Sequence, residues 1–172
     1  MTSATLSKQS QHGAALLISL VFMLILTIIC ASALQSTTLQ ERMAGNARDT
    51  NTAFQAAEAA LREGETVLQG ASAGPFDGSN GLYQQCSGAG AECTPPDWND
   101  LAATGWRTVN TIAGVSSAPQ FYVEELTQID DPVAPLDAGT PVKLITNYRI
   151  TARGFGVSDR AMVVLRTIYR RE

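Results

Sequence analysis

The chain has 172 residues, of which 45% are hydrophobic, and 12 Lys and Arg residues stand against 16 Asp and Glu residues. Once a membrane segment is subtracted, this length allows one globular domain of ordinary size. The net charge of −4 and the lack of a visible basic patch in the sequence argue against a nucleic-acid or anionic-lipid footprint, because neutralising phosphates requires clustered cations.

An apolar segment lies between Lys8 and Glu41, where the sequence has no Asp, Glu, Lys or Arg. Its core, residues 14–34, includes twelve Leu, Ile, Val and Phe residues. A helix needs about twenty apolar residues to cross a bilayer, and these side chains favour insertion by roughly 4–7 kcal/mol. The sequence therefore predicts a transmembrane helix. Lys8 and His12, which precede it, favour a cytoplasmic amino-terminal side.

Three interpretations of this segment differ in where the mature chain begins. Residues 31–33, Ala-Ser-Ala, form a site typical of a cleaved secretory signal, although the apolar core is long for one. In the second interpretation Cys30 carries a lipid, but the residue before it is Ile29, where a small residue is expected. An unmodified cysteine also suits apolar surroundings. The third interpretation depends on Gly13.

A short polar leader, residues 1–13, ends in Gly13 directly before the apolar segment. This arrangement resembles the class III signal of type IV pilins and type II secretion pseudopilins. In those families a prepilin peptidase cuts after the glycine and methylates the new amino terminus. The resemblance therefore implies cleavage between Gly13 and Ala14, with Ala14 as the methylated first residue.

The helical pattern continues through residues 35–69, which contain no proline. Apolar or small residues recur alternately four and three positions apart, the period of one helix face that packs on a partner surface. The predicted packing face consists of Met43, Ala47, Thr50, Phe54, Ala57, Leu61, Gly64 and Leu68. Gly45 in this stretch costs about 1 kcal/mol relative to alanine and marks a candidate soft point.

Two blocks carry a more specific resemblance. Residues 35–65 read QSTTLQERMAGNARDTNTAFQAAEAALREGE and resemble the hallmark segment of PilX-type minor pilins. Residues 148–171 read YRITARGFGVSDRAMVVLRTIYRR and are similar to the carboxyl end of the same family. The resemblance implies an inner-membrane subunit whose partners are other minor pilins, a large tip adhesin, the major pilin and the prepilin peptidase.

The chain departs from the general pilin pattern at Ile18. Major pilins place a glutamate five residues after the cut, and counting from Ala14 that position here is Ile18. A lone carboxylate in hydrocarbon costs several kcal/mol unless it is paired. Because some tip-located minor pilins and the K-type pseudopilins share this lack, the resemblance favours the fibre tip over the shaft. Drift at one position is the alternative explanation.

The stretch from residue 70 to residue 118 is rich in Gly, Ser, Ala and Pro and is predicted to be a variable loop. Cys86 and Cys93 lie within it and are expected to form a disulfide in the oxidising periplasm. No zinc site or other cofactor is expected, since His12 is the only histidine. Oxygen-rich calcium ligation remains an alternative to a solvated loop for the acidic residues Asp97, Asp100, Asp130, Asp131 and Asp137.

Strand signals follow this loop. Residues 120–126 are aromatic and β-branched, residues 142–155 alternate between two faces, and residues 161–169 are again apolar. The last two are separated by residues 156–159, a hairpin connection. The predicted fold is α+β and pilin-like: a long amino-terminal helix, transmembrane in its first half, packs on a roughly four-stranded antiparallel sheet within a globular region of residues 70–172.

No residue constellation in the sequence suggests catalysis. The resemblance implies a minor pilin that primes type IV pilus assembly and joins a tip complex, supporting twitching motility and adhesion. The domain would be periplasmic before assembly and at the pilus tip afterwards. Two alternatives stay open: a K-type minor pseudopilin of type II secretion, which normally carries a much larger inserted domain, and a simple membrane-anchored periplasmic binding module.

Overall fold

The computed structural model describes residues 12–70, 72–86, 90–110, 112–130 and 144–171. The chain divides into two compact units, Met1–Gly45 and Asn46–Glu172. The helices within the described ranges are α1 (His12–Gln69) and a short 3-10 helix (Ala91–Cys93). The strands are β1 (Leu82–Gln84), β2 (Arg107–Thr108), β3 (Gln120–Glu125), β4 (Ile129–Asp130), β5 (Leu144–Ile145), β6 (Asn147–Phe155) and β7 (Met162–Arg170).

The first unit contains the part of α1 that precedes Asn46. No proline interrupts it, so every backbone N–H beyond the first turn can bond within the helix. An 18-residue window of this helix reaches a mean hydropathy of 2.9, and none of that window is buried. By length and composition the helix is able to span a membrane, as the sequence predicts.

The second unit combines the remainder of α1 with a five-stranded sheet of order β1-β3-β6-β7, in which β2 also pairs with β3. The strands β3, β6 and β7 are antiparallel neighbours, and their aromatic and β-branched composition suits a pleated surface. A separate two-stranded ladder joins β4 to β5. The predicted strand β3 and the predicted hairpin β6-β7 therefore form the antiparallel part of the main sheet.

The α+β prediction is confirmed, but the sheet is mixed and not purely antiparallel. Leu82 to Gln84 in β1 run parallel to Val123 to Glu125 in β3. This strand lies in the stretch predicted to be a loop, because three residues among glycines are too few to show an alternating pattern. The short β2 lies in the same stretch and pairs with the other half of β3.

Both faces of the sheet are covered where β3 and the second half of β6 pair. Residues that pair directly across antiparallel strands share a face, so Phe121, Val123, Ile150 and Ala152 face α1, and all four are fully buried. The opposite face, called here the distal face, carries Tyr83, Tyr122, Thr151 and Arg153, each no more than 3% exposed. A loop that includes Trp98 and Trp106 covers this second face.

Some predicted features lie outside the described residues. These are the first part of the predicted leader, up to residue 11, Asp131 and Asp137 of the candidate calcium set, and residues 142 and 143 of the predicted strand 142–155.

Candidate functional site

The first candidate surface is the apolar part of α1 between residues 14 and 34. Its large side chains are about half to two-thirds exposed, from Ile25 at 48% to Met23 and Leu34 at 71%. Exposed apolar surface of this extent on a soluble protein marks a lipid or protein interface. By length and composition this surface fits a membrane anchor.

Hydroxyl groups in this segment are satisfied within the helix. Ser19 donates to the carbonyl oxygen of Leu16 at 2.8 Å, and Thr27 donates to that of Leu24 at 2.7 Å. Ser32 donates to Ile28 in the same way at 2.9 Å. Since a polar group without a partner costs several kcal/mol in hydrocarbon, these internal bonds suit a lipid environment.

The predicted cleavage position lies at the beginning of α1. His12 and Gly13 are helical, and Ala14 is exposed. Ile18, where general pilins have glutamate, is 60% exposed among the other apolar side chains. The position therefore presents a hydrocarbon surface to whatever surrounds the helix.

The second unit contains a close seam between α1 and the sheet. Its helix side consists of small residues that are at most 2% exposed: Ala53, Ala56, Ala57 and Ala60. A Cβ built on Gly154 of β6 would collide with the amide nitrogen of Ala57 and the carbonyl oxygen of Ala53. Gly64 performs the same role further along, since a Cβ there would lie 2.8 Å from Cγ2 of Ile150. At Gly154 backbone therefore packs directly against backbone, and at Gly64 the helix backbone packs against side chains of the sheet.

This seam differs from the predicted packing face. Ala57, Leu61, Gly64 and Leu68 do contact the core. Met43 and Phe54 are 64% and 44% exposed, and Ala47 and Thr50 are also exposed. The predicted face was chosen by the apolar character of its residues, whereas the close approach of β6 leaves room only for alanines. In addition, positions spaced alternately four and three residues apart shift gradually around the axis of a helix with 3.6 residues per turn. The exposed positions are therefore available for contacts outside this chain.

Asp49 connects α1 to the turn between β6 and β7. Its carboxylate accepts hydrogen bonds from the backbone N–H of Ser158 at 3.1 Å and from the Ser158 hydroxyl. These hydrogen bonds lower the pKa of Asp49 below its usual 3.8. A Cβ on Gly156 would collide with Oδ1 of Asp49, so a glycine is required beside this contact.

The distal face contains a buried cation, Arg153, which is 1% exposed. Its Nε donates to Oε1 of Gln120 at 2.8 Å, and its Nη1 donates to the carbonyl oxygens of Asp100 at 2.8 Å and Trp98 at 3.4 Å. Its guanidinium also lies 4.2 Å from the ring centroid of Trp106. Burial lowers the pKa of Arg153, an effect that the charge of Asp100 opposes.

Aromatic contacts extend this cluster. The rings of Trp106 and Tyr122 lie 4.9 Å apart, and those of Tyr83 and Tyr122 lie 5.8 Å apart, both in edge-on geometry. The Tyr83 hydroxyl donates to the carbonyl oxygen of Gly105 at 3.0 Å, and Gly105 has a φ of +97° that favours glycine. The long loop is thereby fastened to the sheet at several points.

Cys86 and Cys93 form a disulfide with a Cα–Cα separation of 5.5 Å. It follows directly after β1 and ends in the 3-10 helix. Cys30 is a free and exposed cysteine in the apolar segment. Cys86 is exposed and Cys93 is half-buried, so the disulfide closes a loop outside the buried core.

Within the described ranges, no three His, Cys, Asp or Glu side chains are close enough together to hold a metal ion. Asp97 and Asp100 instead accept backbone hydrogen bonds from Asn99 and Ala102, each at 2.9 Å. These two carboxylates therefore stabilise the turns that follow them.

Sequence reasoning missed Asp49 and Arg153. Arg153 alternates with apolar residues, and the pattern alone places it on the side opposite the helix, where solvent is the usual environment. Asp49 lies between Ala47 and Thr50 of the predicted packing face but is not one of its residues, and nothing near it in the sequence indicates a contact. The partners of both residues lie far away in the chain, as the sequence separation of 109 between Asp49 and Ser158 illustrates.

Comparison with known families accounts for both ends of the chain. A model described as PilX N-terminal matches residues 12–62, and one described as type IV pilus assembly protein PilX, C-terminal, matches residues 76–171. Searches of curated proteins and of solved structures found no match. The two matched ranges include the apolar segment, the seam and all the described strands, and they confirm the resemblance found in the sequence. The chain belongs to the PilX family of type IV pilus assembly proteins.

Proposed function

We propose that this chain is a minor pilin that primes type IV pilus assembly and resides in the tip complex, where it supports twitching motility and adhesion. The observation that carries the proposal is the exposed apolar surface of residues 14–34 on a helix whose later residues are built into a folded domain. A subunit of this kind has one part suited to lipid or to neighbouring helices and one part suited to water.

In the proposed mechanism the apolar segment moves from contact with lipid to contact with other subunits. Before assembly the apolar segment is held by lipid in the inner membrane, with the domain in the periplasm. During assembly the segment leaves the bilayer and packs against the helices of neighbouring subunits, so that protein contacts replace lipid contacts. Helix association in lipid relies on close packing and not on a hydrophobic gain, and the abundance of small residues in α1 supports such packing.

Ile18 supports a position at the tip. In the pilin resemblance, a glutamate at this depth would pair with the terminal amine of an adjacent subunit. Ile18 has no charge that could pair with an amine, and an apolar side chain lies in hydrocarbon without the energetic cost of an unpaired carboxylate. A subunit without a neighbour above it has no use for that carboxylate, which favours the tip over the shaft.

Mass measurement of the mature amino terminus tests the first step. We expect the chain to begin at a methylated Ala14, and we expect Gly13→Leu to retain the leader. An amino terminus at Met1 would instead indicate an uncleaved anchor, and one at Leu34 would indicate a secreted protein without its apolar segment. Either result rejects the proposal.

Deletion of the chain in a retraction-deficient background tests the priming role. We expect surface pili to decrease strongly and the native chain to restore them. Leu24→Arg should fail to restore them, because a charge at the centre of the apolar segment costs about 3 kcal/mol. Leu144→Arg is the matched control, since Leu144 is similarly exposed, at 54% against 58%, but lies outside α1. Unchanged pilus numbers after deletion would reject priming.

A further inference from the structure

The loop that covers the distal face carries two large apolar side chains that the core does not use. Trp98 is 45% exposed and Leu101 is 62% exposed, and neither belongs to the buried core cluster. Covering such side chains with another molecule gains free energy in proportion to the apolar area that leaves water. The question is therefore whether the loop is built to present them.

Buried contacts hold the backbone beneath these side chains. Nη1 of Arg153 donates to the carbonyl oxygens of both Trp98 and Asp100. The Asp100 carbonyl group is bonded to the nitrogen of Leu101, so both apolar residues adjoin an anchored peptide group. Asp97 and Asp100 each accept a backbone N–H from two residues further along, at 2.9 Å. A backbone that is already fixed loses little conformational entropy when its side chains bind a partner.

Polar side chains lie beside the apolar pair. Asp97, Asn99 and Asp100 are all exposed, and they precede, separate and follow the two apolar residues within one short segment. Protein interfaces have the same composition, with an apolar and aromatic centre inside a polar rim. Tryptophan is enriched among the few residues that carry most of the binding energy. The segment from Asp97 to Leu101 is called here the tryptophan loop.

The tryptophan loop lies in an acidic part of the chain. Between Arg62 and Arg107 the sequence has six Asp and Glu residues and no Lys, Arg or His, so this stretch is more negative than the whole chain at −4. Within the described residues, Asp97 and Asp100 form no ion pair. Arg153 attracts Asp100 from beneath the loop, but it is 1% exposed and out of reach of a partner.

This charge argues for one kind of occupant. The same loop of a second copy would bring further carboxylates against Asp97 and Asp100, and like charges across an interface cost free energy. An anionic membrane surface would be repelled for the same reason. A protein pocket with Lys or Arg at its rim gains opposite-charge contacts together with the apolar contact.

We propose that the tryptophan loop is a docking site for another protein, in which Trp98 and Leu101 enter an apolar pocket with lysine or arginine residues at its rim. Those cations lie beside Asp97 and Asp100. The proposal rests on the loop and its anchoring by Arg153, and it does not require that the chain prime pili.

Site-specific photo-crosslinking in intact cells tests the proposal. The full chain is expressed with p-benzoylphenylalanine in place of Asn99, which is exposed between the two apolar residues. The matched control carries the same group in place of Leu144, which is 54% exposed on β5. Mass spectrometry identifies the crosslinked protein. We expect an adduct from position 99 with a protein other than this chain, and we expect position 144 not to give that adduct.

Apolar variants measure the contribution of the pair. In the chain with the crosslinker at position 99, Trp98→Ala should reduce the adduct about tenfold or more, and Leu101→Ala about threefold or more. Both variants keep the carbonyl groups that Arg153 binds. Ile129→Ala is the control, since Ile129 is 50% exposed on β4, and it should change the adduct less than about twofold.

Charge variants test the chemistry of the partner. Asp97→Asn combined with Asp100→Asn removes two charges but keeps an amide oxygen for each turn, and it should reduce the adduct about fivefold or more. Glu63→Gln combined with Glu65→Gln changes the net charge equally on α1 and should change the adduct less than about twofold. An intact Cys86–Cys93 disulfide and an unchanged thermal midpoint show that each variant has folded.

A charge exchange tests direct contact. Asp97→Lys should abolish the adduct, and replacing the Lys or Arg nearest the crosslink in the partner by Glu should restore it. Several outcomes would overturn the proposal: no adduct from position 99, an adduct with a second copy of this chain, with lipid or with a sugar, or equal losses from the two pairs of charge variants. Because the readout is an adduct and not pilus number, this contact and the priming role can fail independently.

Discussion

Gly154 on β6 lies directly against the backbone of Ala57 on α1, in a space that has no room for a Cβ. The contact is buried on the helix side by Ala53 and Ala57, both 0% exposed. A helix and a sheet come this close only where both surfaces lack large side chains. The seam therefore sets the distance between the two layers of the domain.

Gly154→Ala tests the seam. The added methyl would collide with backbone atoms that cannot rotate away, so we expect a loss of about 3 kcal/mol in the free energy of unfolding and a thermal midpoint lower by roughly 10 °C. Circular dichroism of the full chain in detergent measures both. Gly45→Ala is the control, because a Cβ there meets nothing within 4 Å and α1 gains helix propensity. Equal midpoints for the two variants would disprove the seam.

Arg153→Met tests the buried cation. The variant keeps an unbranched side chain of similar length but leaves the carbonyl oxygens of Trp98 and Asp100 without their donor. We expect a loss of about 2–4 kcal/mol in the free energy of unfolding, together with a change in tryptophan fluorescence as the loop separates from the sheet. Arg62→Met is the matched control, since the Arg62 side chain is 72% exposed and its ion pair with Glu58 lies on the surface of α1. A variant as stable as this control would contradict the anchoring role of Arg153.

Acid titration tests the contact between Asp49 and Ser158. Folding lowers the pKa of Asp49 from its usual 3.8, mainly through the Ser158 hydroxyl. The stabilisation is therefore complete above the unfolded-state pKa and disappears as the pH falls through the lower, folded-state pKa. We expect the thermal midpoint of the native chain to fall more steeply below about pH 4 than that of Asp49→Asn.

Ser158→Ala provides a second measure, because it removes the hydroxyl donor and leaves the carboxylate in place. Its acid dependence should be intermediate between those of the native chain and Asp49→Asn. Three identical acid profiles would show that this contact contributes nothing to stability.

Reduction tests the disulfide between Cys86 and Cys93. The loop that it closes is short, and the chain-entropy estimate is about 2–2.5 kcal/mol. We expect a reducing agent to lower the thermal midpoint of the native chain but not that of a variant with both cysteines replaced by serine. Cys30→Ser is the control and should retain the sensitivity, since Cys30 is a free cysteine. Insensitivity of the native chain would contradict the expected stabilisation.

The elements that depend on local pattern were predictable from the sequence. A long run of apolar residues specifies a membrane-competent helix without help from the rest of the chain. The predicted strand at residues 120–126 corresponds to β3, and the predicted hairpin corresponds to β6 and β7. Alternation along β6 also places Ile150 and Ala152 correctly on the face towards α1.

Features that depend on distant partners were not predictable in the same way. Leu82–Gln84 becomes a parallel strand only because β3 presents an open edge to it. Arg153 is buried because a loop some fifty residues earlier supplies carbonyl oxygens and an aromatic ring, as the separation of 53 residues from Asp100 shows. Phe54 is exposed because Gly154 leaves room only for alanines at the seam.

The sequence by itself determined the apolar segment, the PilX resemblance and the order of helix and strands, since these follow from composition and period along a single stretch of chain. Tertiary structure alone decided which side of α1 meets the sheet and which loop covers the opposite face at Arg153. The physical reason is that close packing and hydrogen bonding join residues far apart in the chain, and one sequence read in order does not show which residues will meet.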